Sequence, residues 1–72
     1  MNYEILPGML FFHYRNKHTY IILDKCLIQV NDEWLDGIIY TELNDNNIVK
    51  KFVRTEEEFK EKFQRFPSND NI

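Results

Sequence analysis

From Met9 the chain alternates in hydropathy. Leu10, Phe12 and Tyr14 fall on one face of an extended segment, and Met9, Phe11, His13 and Arg15 fall on the other. The period of two predicts a strand, opened by the turn pair Pro7-Gly8, in which Pro fixes φ and Gly is free to take positive values. Asn16 and Lys17 have turn character, so a tight connection over 15–18 folds the next strand back antiparallel. That second run, Thr19 to Val30, is long for one strand, with Tyr20, Ile22, Cys26, Ile28 and Val30 in phase. Asp24 breaks the phase. The pair Asp24-Lys25 therefore predicts a bulge or bend, the device with which small barrels turn corners.

A polar break at Asn31, Asp32 and Glu33 precedes a third run, Trp34 to Leu43, whose phase is ambiguous. Trp34, Ile38 and Tyr40 share a face with Asp36 and Glu42, while Leu35, Ile39, Thr41 and Leu43 share the other with Gly37. Gly37 inside a strand predicts a bulge or the close approach of another backbone. Asn44-Asp45-Asn46-Asn47 is the strongest turn signal in the chain, and Ile48 to Arg54 reads as a fourth strand. Thr55-Glu56-Glu57-Glu58 is a capping box: the Thr hydroxyl can accept from the Glu58 amide, and the Glu58 carboxylate can reach back to the Thr55 amide. Phe59, Phe63 and Phe66 follow as one apolar stripe of a helix, with Lys60, Glu61, Lys62, Gln64 and Arg65 facing water. Pro67 ends that helix.

The reading is a mainly β, α+β chain: a small SH3-like antiparallel β-roll or barrel of four to five strands with one C-terminal helix. It occupies 1–67 as a single domain, with 68–72 a disordered tail. At 72 residues there is room for one core only. Six Phe, four Tyr and one Trp supply that core with large apolar side chains.

The residues Pro7-Gly8, His13-Tyr14, Tyr20-Ile21-Ile22-Leu23, Ile39-Tyr40, Phe52-Val53-Arg54 and Phe59 resemble the small bacterial family called domain of unknown function 1653. Arg15-Asn16 stands where that family has Lys-Gly, and Thr55 where it has Pro. Asn16 can still supply a positive φ and Thr55 caps a helix that Pro would open, so both departures keep the implied shape. The resemblance implies an SH3-like roll closed by a helix, and no activity.

The lone Cys26 cannot form an internal disulfide, which points to a reducing cytoplasm, and no export signal or membrane span is read. Abundant Asn and Ile, with Lys above Arg, are the bias of AT-rich genomes, many phages included. A net charge of −3 opposes general attraction to polyphosphate.

Two local features carry candidate chemistry. Trp34, with Tyr14 and Tyr40, is a candidate partner-binding patch, the alternative being that Trp34 covers one open end of the barrel. Arg15, Lys17 and His18 form a basic loop among aromatic residues, and Lys50, Lys51 and Arg54 a second basic patch that also suits the edge of a sheet. His13, His18 and Cys26 match no zinc spacing, and Asp32, Glu33, Asp36 and Glu42 read as surface acids. No catalytic constellation, metal site or cofactor is expected. The leading expectation is a non-enzymatic binding module or adaptor for another protein, monomeric or homodimeric, with a phage-encoded modulator of a host component as its narrower form. The alternative is a small-barrel nucleic-acid-binding protein using Arg15, Lys17, His18, Lys50 and Lys51.

Overall fold

The alternation of the first two runs is realised as a hairpin. In the computed structural model, which describes residues 3–43 and 50–66, β1 (Leu10–His13) pairs antiparallel with β2 (Thr19–Val30), Phe11 lying opposite Tyr20. The His13 amide donates to the His18 carbonyl and the Lys17 amide to the His13 carbonyl, closing the loop. The positive φ falls at Lys17 (66°), not at Asn16. Asn16 acts through its side chain instead: Oδ1 accepts from the His18 amide at 2.7 Å and Nδ2 donates to the Tyr20 hydroxyl at 3.2 Å.

β2 turns directly into β3 (Glu33–Glu42) through Asn31 and Asp32, whose φ values of 50° and 67° are those of a type I′ hairpin loop. The expected irregularity sits at Leu23, where the register shifts between Ile22 and Asp24. Beyond this extra residue every side chain of β2 changes face, which lets Ile22 point into the core while Asp24 stays in water. β4 (Phe52–Thr55) pairs with β3 over Gly37–Tyr40. The Asn44–Asn47 turn and the start of the expected fourth strand lie outside the described residues, as do Pro67 and the tail.

α1 (Glu56–Lys62) begins as the capping box requires, Thr55 Oγ1 accepting from the Glu58 amide at 3.2 Å. The Glu58 carboxylate turns to Arg54, 3.3 Å away. The helix then stops four residues before Phe66, which corrects the expected stripe. Phe63 adopts an extended conformation and opens β5 (Phe63–Arg65), which pairs with the free edge of β1. The open edge of β1 offers backbone partners that a continued helix would leave unused. Extension also swings Phe66 away from the core to an edge-on contact with Phe12.

The sheet order is β4-β3-β2-β1-β5, so a bent five-stranded sheet leaves β4 and β5 as its outer strands. α1 links them across the gap, and the Arg54 guanidinium of β4 lies 5.9 Å from the Phe63 ring centre of β5. Phe11, Tyr20, Ile22, Ile38, Tyr40, Phe59 and Phe63 fill the interior, together with Ile5, a core residue from before Pro7-Gly8 that the alternation did not reveal. Phe59 and Phe63 stack at 4.1 Å, and Tyr40 meets both edge-on at 5.1 Å.

Candidate functional site

β1 pairs with β2 only at Thr19–Ile21, and β4 pairs with β3 only at Gly37–Tyr40. The far part of the β2–β3 hairpin, Leu27–Asp36, is therefore an arm with no strand along either edge among the described residues. Its register places Leu27 opposite Asp36 and Gln29 opposite Trp34, so Leu27 and Trp34 are diagonal neighbours on one face. Both are open to solvent, at 62% and 63% exposure. Ile28, Val30 and Leu35 occupy the reverse face, with Val30 and Leu35 also exposed.

Gly37 anchors the base of the arm. A Cβ there would lie 2.5 Å from Ile28 Cδ1 and 2.9 Å from Cys26 Sγ, so the close approach is by side chains and not by another backbone. The arm and its flank carry Asp24, Asp32, Glu33 and Asp36 against one cation, Lys25. Lys25 is drawn toward Glu4 at 3.8 Å and Glu56 at 4.0 Å. At the foot of the arm a groove of about 380 Å³ runs between Leu35, Asp36 and the start of α1, where Glu56 and Glu57 face it and Lys60 is paired with Glu56 at 3.3 Å. The surface is apolar with an acidic border.

The aromatic residues expected to accompany Trp34 do not join it. Tyr40 is only 4% exposed and belongs to the core, its hydroxyl accepting from Arg54 Nε at 2.8 Å. Burial raises the pKa of Tyr40, with the Arg54 bond opposing that shift. Tyr14 is half exposed beside the β1–β2 loop, at the other end of the hairpin and about 25 Å of strand from Trp34. Nor does Trp34 cover an open end of the roll, since its ring stands in solvent.

Arg15, Lys17 and His18 are all exposed in the β1–β2 loop, and His18 Nδ1 sits 2.9 Å from Glu42 Oε2. Lys50 and Lys51, exposed just before β4, enter at this same end of the sheet, because Phe52 pairs with Tyr40. Among the loop cations, Arg15 lines a cavity. A hollow of about 330 Å³ is formed by His13, Tyr14, Arg15, Arg54, Glu61 and Lys62. A smaller one of about 140 Å³ shares His13 and Arg54 and reaches the Tyr20 and Tyr40 rings. His13 Nδ1 accepts from the Arg15 and Asn16 amides at 3.0 and 3.4 Å, so the neutral ring carries its proton on Nε2. Burial, and then the charges of Arg54, Lys62, Arg15 and His18, lower its pKa.

Leu27 and Lys62 were not among the expected site residues, Arg54 was expected only in a basic patch with Lys50 and Lys51, and His13 was weighed only as a metal ligand. Leu27 was hidden because a bulge at Leu23 reverses the phase of everything after it; counting that residue out of register would have exposed it. Arg54 and Lys62 are far apart in sequence from Arg15, and only the curl of the sheet unites them.

No helix among the described residues is long and apolar enough to cross a membrane. No family model matches the chain, and no curated protein or solved structure matches it.

Proposed function

We propose that the chain is a non-enzymatic binding module that captures another protein on the β2–β3 arm, with Trp34 and Leu27 as its anchors. The observation that carries this reading is the placement of two large, solvent-open apolar side chains as neighbours on one face of a hairpin that no strand among the described residues flanks. A two-stranded hairpin is marginal in water by itself, and each of these side chains returns about 1.5–3 kcal/mol when a partner buries it. The acidic border selects the partner's chemistry: an apolar patch flanked by Lys or Arg. Two copies of this arm placed face to face would bring their acids together, so the occupant is a different protein.

A photo-crosslinking residue at position 34, with a second at Gln64 on β5 as control, tests the proposal in the native cell. Capture is expected from position 34 alone. With the captured protein purified, Trp34→Ala is expected to weaken binding about 30-fold, the effect of losing roughly 2 kcal/mol at an aromatic anchor. Equal capture from both positions, crosslinks only to a second copy, or unchanged affinity in Trp34→Ala would each overturn the assignment.

A further inference from the structure

Three cations from three separate elements meet in the larger hollow: Arg15 from the β1–β2 loop, Arg54 from β4 and Lys62 from the last turn of α1. We infer that this hollow binds a small phosphate-bearing ligand, with Arg15, Arg54 and Lys62 meeting the phosphate and Tyr14 offering its ring to a planar group at the rim. Clustering like charges costs energy in a chain whose net charge is −3, and an incoming anion relieves it. Arg54 is pre-positioned, since Tyr40 holds its Nε and Glu58 lies 3.3 Å from its Nη1. A guanidinium fixed in this way suits phosphate geometry. The Tyr14 amide donates to the Lys62 carbonyl at 3.0 Å, which ties the loop to the helix end and keeps the frame rigid. Glu61 is the one acid among the described residues that line the hollow. The His13 pKa is lowered first by burial and then by the charges of Arg54, Lys62, Arg15 and His18. The volume lies within the span of small-ligand sites, about 300–1,000 Å³. This site lies at the other end of the hairpin from the arm and stands or falls independently of it.

Inorganic phosphate and adenosine monophosphate are the probes, and the NMR titration of the His13 imidazole is the readout. Phosphate is expected to raise the His13 pKa, because an anion in the hollow cancels the cations that lower it. Adenosine monophosphate is expected to bind more tightly than phosphate, and Tyr14→Ala to abolish that difference. The double variant Arg15→Ala, Lys62→Ala alters exposed side chains only, and is expected to weaken both probes about tenfold with the fold intact by circular dichroism. A His13 pKa indifferent to both probes would refute the site. So would a single-stranded oligonucleotide that binds more tightly than the mononucleotide and loses affinity steeply with salt, since it would reassign these cations to a strand backbone.

Discussion

At His13 a single ring feels the loop, the strand and the helix together. Amides of its own loop occupy Nδ1, the Phe63 ring packs edge-on at 4.9 Å, and cations from β4 and α1 face it. Its pKa in the folded chain lies below the 6.5 of an unperturbed imidazole. The unfolded state therefore binds more protons as pH falls through 6.5, and stability is lost in that window until the folded pKa is passed. Urea midpoints of the native chain are expected to decline on acidification from pH 7 more steeply than those of His13→Asn, whose Oδ1 can replace the Nδ1 acceptor. Parallel curves would show that the ring is not held neutral. Side chains within one element can differ as completely as Trp34 and Tyr40 do: both fall on the same face of β3, yet the first is open and the second sealed. Alternation assigns a face; it does not say how far along a strand the core extends.

Among the elements, the boundaries set by local chemistry are those the chain announces. Asn31 and Asp32 form a tight loop because both tolerate positive φ, and Thr55 starts α1 because its hydroxyl takes an orphan amide. Asp32 still pays a steric penalty at 67°, so Asp32→Gly, which gives an Asn-Gly loop, is expected to stabilise the hairpin by about 0.5–1 kcal/mol in urea unfolding. A loss of stability would mean that the Asp32 side chain holds the loop by a bond of its own. The end of α1 was not announced in this way. Phe59, Phe63 and Phe66 have helical spacing, yet Phe63 leaves the helix because the unpaired edge of β1 offers it a strand, and Phe66 follows with its amide donating to the Leu10 carbonyl. Ile5 was likewise silent, since a single apolar residue ahead of a turn has no periodicity to reveal it.

At the scale of the molecule, the one helix among the described residues, seven residues long, packs against a five-stranded sheet. Leu10, Val53 and Phe66 remain open on the outer face, and the arm extends beyond the core altogether. Stability and recognition should consequently separate. Trp34→Ala is expected to change the unfolding free energy by no more than about 0.5 kcal/mol. Phe59→Ala, which empties the centre of the aromatic cluster, is expected to cost about 3–5 kcal/mol. A Trp34 variant as destabilised as the Phe59 one would place that ring in the core and remove the arm as a surface. By itself the sequence determined the first hairpin, the bent second strand, the capped start of the helix and the basic loop, because alternation, turn residues and capping act over a few neighbouring positions. Only the tertiary structure decided that the helix yields to a fifth strand, that Trp34 stands apart from Tyr14 and Tyr40, and that Arg15, Arg54 and Lys62 share one hollow. Those outcomes depend on which distant backbone edges and charges the curled sheet brings within reach, and no local pattern records that.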